Sequence, residues 1–347
     1  MSSMSEAERG EPRKPINLAL QGGGSHGAFA WGALDRILED ERIAIEGIVG
    51  TSAGAMNAAI TAYGLTVDGN EGARRALRRF WEAVADRGAR SIMQPSWIDR
   101  LKGPGSLDYS PGWVMMDFLS RVLSPYQMNP ANFHPLRDIL SEQVDFAVLS
   151  QTDKVKLFVC ASNVITNRLH VFAGKEISVD AVLASACIPS AFQAVEINGE
   201  YFWDGGYMGN PPIFPIIYNC VSSDVLLIMV NPVQIKQVPQ TAQAILDRIN
   251  TLSFNSSLMR EMRAINFVNR LVDRGIDEGG RLRKILVHCI DAEDEMSSLG
   301  VSSKLNVERQ FLHRLFDLGR SRAQAFLTTH FDKIGNVSSA SIEERFL

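Results

Sequence analysis

Ile16-Asn17-Leu18-Ala19-Leu20-Gln21-Gly22-Gly23-Gly24-Ser25-His26-Gly27 is an apolar run that enters a glycine turn. Ala44-Ile45-Glu46-Gly47-Ile48-Val49-Gly50-Thr51-Ser52-Ala53-Gly54 has the same design. Residues 16–20 and 44–49 predict buried strands. Helical spacing follows each turn. Phe29, Ala33, Ile37 and Leu38 share a face in residues 28–40, and Ala55, Ala58 and Ala59 follow the second turn. Strand, turn, helix, strand, turn, helix is the rhythm of a parallel α/β sheet.

Outward from this core, residues 155–161, 225–230 and 284–290 predict further strands. Residues 193–203 predict a hairpin, because Asn198-Gly199 suits a turn with positive φ at both central positions. Residues 71–87 predict an amphipathic helix with Ala73, Leu77, Phe80, Trp81 and Val84 on one face. Helices are also expected over 241–250, 254–273 and 306–329. Residues 91–132 are rich in Pro, Gly, Trp and Met. They read first as packing under a long irregular segment with a short helix, and second as a cap over a site. We expect flexible tails at 1–14 and 336–347. Between them lies a single domain, 15–335, helical in its C-terminal part from about residue 240.

The composition excludes several function classes. The 347 residues include 35 Lys+Arg and 39 Asp+Glu, a net charge of −4, with 46% hydrophobic and 21% charged residues. That is too apolar for a disordered chain, and the acidic balance argues against a nucleic-acid partner. The four cysteines form no CxxC pair and sit in apolar contexts, which predicts a reducing, cytoplasmic compartment. Residues 1–15 have no apolar core, so no secretory signal is expected there. The longest strongly apolar run, 225–230, is far short of a membrane span.

Two turns carry the G-x-S-x-G pattern of a nucleophile elbow, in which a sharp strand-to-helix turn exposes a serine. One is Gly50 to Gly54 around Ser52; the other is Gly23 to Gly27 around Ser25. Three successive glycines suit a turn that offers backbone amides to an anion, so the first turn is assigned as oxyanion donor and Ser52 as nucleophile. The first turn also fits G-x-G-x-x-G with Glu46 beyond it, the pattern of a dinucleotide-binding oxidoreductase or nucleotide module. Glu46 precedes the end of its strand, which disfavours that alternative. None of the six histidines stands out as a base for Ser52; His288 reads as a satisfied sheet residue. Asp204-Gly205-Gly206, directly after the hairpin, offers a carboxylate on a rigid support, although on spacing alone it reads as an ordinary Asp-Gly turn.

Taken in order, Gly22-Gly23-Gly24-Ser25-His26-Gly27, Gly50-Thr51-Ser52-Ala53-Gly54 and Asp204-Gly205-Gly206 resemble the patatin-like phospholipase family. Residues 184–192 resemble its segment ahead of the aspartate. The resemblance implies a three-layer α/β/α hydrolase fold with a mostly parallel central sheet, here with a C-terminal helical extension. It implies a Ser-Asp dyad of Ser52 and Asp204, an acyl-enzyme, and no metal or other cofactor. The amides of Gly22, Gly23, Gly24, Ser25 and Ala53 would form the oxyanion hole. Gly27, Gly50, Gly54, Gly205 and Gly206 would be the motif glycines. His26 stands where the family often has Arg or Lys, so no fixed positive charge is implied there. A catalytically silent lipid-binding member is the third reading.

A lipid or lipid-like ester is the expected substrate, with peripheral membrane contact as an accompanying expectation. Arg74, Arg75, Arg78 and Arg79 lie opposite an apolar stripe; they read first as a solvated face and second as a lipid-contact cluster. Residues 91–132, and less strongly Leu258, Met259 and Met262, are candidates for holding acyl chains.

Overall fold

The computed structural model describes residues 13–103, 105–276 and 279–347. Its sheet contains β1 (Lys14–Leu20), β2 (Ile43–Gly50), β3 (Lys156–Asn163), β4 (Leu169–Ala173), β5 (Val195–Ile197), β6 (Glu200–Asp204), β7 (Asp224–Ile228) and β8 (Leu286–Ile290). The helices are α1 (Gly27–Glu39), α2 (Ala53–Gly88), α3 (Trp97–Lys102), α4 (Pro111–Val122), α5 (Pro125–Met128), α6 (Pro135–Gln143) and α7 (Phe146–Leu149). They continue with α8 (Val179–Ser185), α9 (Phe214–Asn219), α10 (Ala242–Asp273), α11 (Glu293–Met296), α12 (Arg309–His330) and α13 (Ile342–Phe346).

The strand order is β5-β6-β3-β2-β1-β7-β8, with β4 also paired to β3. From β3 through β8 the neighbours are parallel, and the β4 and β5–β6 pairings are antiparallel. Side chains alternate across a strand, so β1 is apolar on both faces. Ile16, Leu18 and Leu20 pack with α1, α2 and α12; Ala19 faces the opposite layer, with residues of α9, α10 and α13. This is the expected three-layer α/β/α arrangement.

One feature of the sheet positions the site. β4 occupies one edge of β3 over Phe158 to Ser162, so β2 and β6 must share the other. β2 pairs with Lys156 to Val159, and β6 with Ala161 to Asn163. β6 therefore lies end-on beyond the last residue of β2, bringing Asp204 to the turn that follows Gly50. The hairpin that delivers it is as expected, with φ of 53° at Asn198 and 80° at Gly199.

The C-terminal part is helical as expected, in α10 and α12, and the expected strand over 284–290 joins the sheet as β8 beside β7, with α12 packed along α1. Other expectations need correction. Residues 241–250 and 254–273 form one helix, α10. Of the expected N-terminal tail, residues 1–12 lie outside the described residues, and Lys14 already opens β1. Residues 336–347 are packed: Ser339 and Ala340 amides bond the Val287 carbonyl, and Ile342 and Phe346 are buried. They cover the edge at β8, which would otherwise expose unpaired backbone groups. The arginine cluster is largely the solvated face of the first reading: Arg75, Arg78 and Arg79 are exposed, and only Arg74 is half-buried, paired with Asp35 and Glu39.

Residues 91–132 also differ from the first reading. They form the short helices α3, α4 and α5, and several of their large apolar side chains point outward: Trp97 is 73% exposed and Phe118 65%, while Leu107 is buried. Helices this short bury one narrow face and leave the other in water. Among the described residues, no helix is long and apolar enough to cross a membrane.

Candidate active site

The two glycine turns leave the ends of β1 and β2, neighbouring parallel strands, and so meet side by side. Ser52 sits between β2 and α2 with φ 56° and ψ −125°. An L-residue held there costs about 1–3 kcal/mol, strain that persists only where surroundings enforce it. Gly54 is one enforcing contact: a Cβ there would lie 2.1 Å from the Leu20 carbonyl oxygen. Ser185 is another; its Oγ accepts from the Ser52 amide at 2.9 Å and donates to the Cys160 carbonyl at 2.6 Å. Ser25, by contrast, lies in a short 3-10 turn, Gly24–His26, and its own φ is not positive. Only the second turn has an elbow's strain.

Asp204 is buried. Its Oδ1 accepts from the Gly206 amide at 2.7 Å. Burial raises its pKa to about 6, against the opposing pull of that amide, the Ser52 hydroxyl and the Lys304 ammonium. The hydroxyl is near enough to favour the charge, and Oδ2 is buried without a hydrogen-bond partner among the described residues. Such bonds are often loose before substrate arrives. The nearby Cys187 is no rival nucleophile, because burial pushes its thiol up to about 12.

His288 and His26 are hydrogen-bonded to groups other than Ser52. His288 is buried in β8 between Asp224 and Ser339, both at 2.9 Å. His26 is buried against Ser303 Oγ at 2.7 Å, and burial, with Lys304 beside it, lowers its pKa to about 3. It is neutral at physiological pH. Glu46, the acid of the dinucleotide pattern, is a bulge residue near the start of β2. Its carboxylate accepts from the Val221 and Ser222 amides, both at 2.7 Å. It is far from the glycine turn and already satisfied, which removes that alternative's second element. Among the described residues, no group of three or more His, Cys, Asp or Glu is placed to hold a metal.

Sequence reasoning missed the frame around the first turn. The Gly22 amide donates to Asn210 Oδ1 at 2.7 Å, so it is not available to an oxyanion, contrary to expectation. The Gly22 carbonyl accepts from Asn231 Nδ2 at 2.7 Å. Gln21 Oε1 accepts from the Val230 and Asn231 amides at 2.9 and 2.8 Å. In a trans peptide N–H and C=O point opposite ways. Holding the Gly22 carbonyl therefore aims the Gly23 N–H away from Asn231. The amides of Gly23, Gly24, Ser25 and Ala53 have no hydrogen-bond partner among the described residues. A lone Asn after a strand carries no sequence signal for such a task.

A family model described as patatin-like phospholipase matches residues 18–217. Among solved structures, the chain is similar to VipD from Legionella pneumophila at 16% identity, over 99% of this chain and 75% of that one, with a TM-score of 0.44. It is also similar to ExoU in its complex with SpcU from the type III secretion system of Pseudomonas aeruginosa. That match has 15% identity over 90% of this chain and a TM-score of 0.31, and spans 52% of the ExoU chain. No curated protein matches the chain.

Proposed function

The chain belongs to the patatin-like phospholipase family, and from that premise we propose that it hydrolyses phospholipid or related lipid esters through a Ser52–Asp204 dyad. The observation that carries the reading is the strained elbow at Ser52 facing a buried, histidine-free carboxylate. Ser52 attacks the ester carbonyl while Asp204 takes the hydroxyl proton. The amides of Gly23, Gly24, Ser25 and Ala53 receive the tetrahedral oxyanion, each such donor being worth about 2.7–4 kcal/mol. The leaving alcohol departs with the proton from Asp204, and an acyl-enzyme remains. Water, deprotonated by Asp204, then releases the acid and regenerates Ser52. No step requires a metal.

The test is direct. Purified protein should react with a fluorophosphonate and release fatty acid from phospholipid vesicles. Inertness toward phospholipids and toward short p-nitrophenyl esters would instead favour a silent lipid-binding member. The pH dependence follows from Asp204. Only the ionised carboxylate accepts a proton, so kcat/KM on a short ester should fall as pH drops through about 6, against the usual 3.8 for a carboxyl. An acid limb at 4 would mean that Asp204 is not the base.

The outward apolar side chains of α3 and α4 suit contact with a lipid surface. The segment that carries them is anchored at both sides of the site. The Leu107 amide donates to Ser302 Oγ, and Asn129 O accepts from Gln193 Nε2. Burying one large apolar side chain contributes about 1.5–3 kcal/mol. The double variant Trp97→Ser/Phe118→Ser should bind phospholipid vesicles at least ~10-fold more weakly in a sedimentation assay. Hydrolysis of a soluble short ester should be unchanged. Equal losses on both substrates would place these residues in the site rather than on a membrane-facing surface.

A further inference from the structure

Lys304 comes from the C-terminal third, beyond the residues the family model matches, yet it lies against the first glycine turn. It belongs to the 3-10 turn Val301–Leu305. Its backbone is wedged onto Gly24: a Cβ there would meet the Lys304 carbonyl oxygen at 2.3 Å, and Gly24 has φ +59°. Any other residue at Gly24 would displace the turn. Its side chain reaches further. Lys304 Nζ donates to Asn231 Oδ1 at 2.7 Å, and Asn231 Nδ2 donates to the Gly22 carbonyl at 2.7 Å. The ammonium is thus two hydrogen bonds from the peptide group whose other end is the Gly23 N–H.

We propose, resting on the hydrolase reading above, that Lys304 is a positioning residue: through Asn231 it polarises and orients the Gly22–Gly23 peptide as an oxyanion donor. Hydrogen bonds in a chain strengthen one another, and a charge at the end of the chain strengthens it most. Pulling on the Gly22 carbonyl makes the Gly23 N–H a better donor. The neutral His26 in the same turn supplies no such charge.

The charged groups facing Lys304 are Asp247 of α10 and Asp204 at the end of β6. His26 packs against it from the glycine turn, and Phe254 of α10 lies 5.9 Å from its ammonium. Lys304 also lines a cavity of about 890 Å³, with Arg248 and Lys236 on the same walls. Burial lowers its pKa to about 8, which the two aspartates oppose. The charge is therefore present below pH 8 and lost above it.

Three measurements test this. Lys304→Met should lower kcat on a short ester about 10- to 100-fold with KM little changed. It should also move the acid limb above 6, because a cation that favours the Asp204 carboxylate is gone. Lys304→Arg, which keeps a cation at every accessible pH, should recover most of kcat and abolish the alkaline fall expected of wild type above about 8. In NMR, the Gly23 amide proton should shift with a midpoint near pH 8 in wild type and stay flat in Lys304→Met. This readout does not depend on turnover. Unchanged kcat and acid limb in Lys304→Met, or a Gly23 amide that ignores pH 8, overturns the proposal. Wild type inert toward esters overturns the hydrolase reading instead. Should Lys304→Met fail to fold, an alkaline limb in Lys304→Arg identical to wild type overturns the proposal by itself.

Discussion

Ser52→Ala is expected to lower kcat on a short ester by about 10⁴- to 10⁶-fold and to abolish covalent labelling by a fluorophosphonate. The effect is large because, among the described residues at the site, no second group stands ready to attack. Cys187 is held as a thiol, and Ser25 lies in an unstrained turn. Alanine keeps the backbone of the elbow and removes only the hydroxyl, so the melting temperature should move little. The residual rate would report the oxyanion donors and binding alone. Labelling that survives in Ser52→Ala and is lost in Ser25→Ala would transfer the nucleophile to the first turn.

Asp204→Asn is the second large effect, about 10⁴-fold in kcat, with opposite consequences for activity and stability. The amide cannot accept the Ser52 proton, yet its oxygen can still accept the Gly206 N–H. Stability follows from the raised pKa. A carboxyl whose folded pKa lies above its unfolded value contributes stability below the unfolded pKa and loses it as pH rises through the folded one. The window here is about 3.8 to 6. At pH 7 the wild type carries the full penalty of a buried charge, and the neutral amide removes it. Asp204→Asn should therefore melt higher than wild type at pH 7 and show no gain at pH 3.5. An inactive variant that melts lower at pH 7 would point to structural damage. His288→Ala should behave inversely. It leaves Asp224 and Ser339 without their partner in the sheet, lowering stability while turnover per folded molecule is kept. Loss of turnover in His288→Ala would revive a histidine triad.

Much of the site was legible because it is local. A strained serine needs a strand before it, a helix after it and small neighbours, and residues 44–54 contain all three. The same reasoning assigned different roles to two identical G-x-S-x-G patterns, since Gly22-Gly23-Gly24 is suited to presenting amides, and of the two serines only Ser52 has a positive φ. It failed at Gly22, whose amide is taken by Asn210, a residue after the Asp204 motif with no pattern of its own. It also misjudged residues 91–132. Trp and Met composition is the same whether a helix faces a core or water; only the packed neighbours decide, and here the outer face has none. The C-terminal residues 336–347 look like a tail by composition, yet they shield β8.

Apolar period and glycine spacing act within a few residues, so the sequence by itself determined the strands, the turns, the hairpin and the serine held in the elbow. It could not separate Asp204 from an ordinary Asp-Gly turn. The tertiary structure supplies the placement: β6 lies end-on beyond β2 along one edge of β3, which brings the carboxylate to Ser52. It also decided the charge. Burial sets the Asp204 pKa, and Lys304 reaches the glycine turn from the far end of the chain. The reason is range: backbone sterics are written in neighbours, whereas desolvation and electrostatics depend on which distant segments exclude water from the same place.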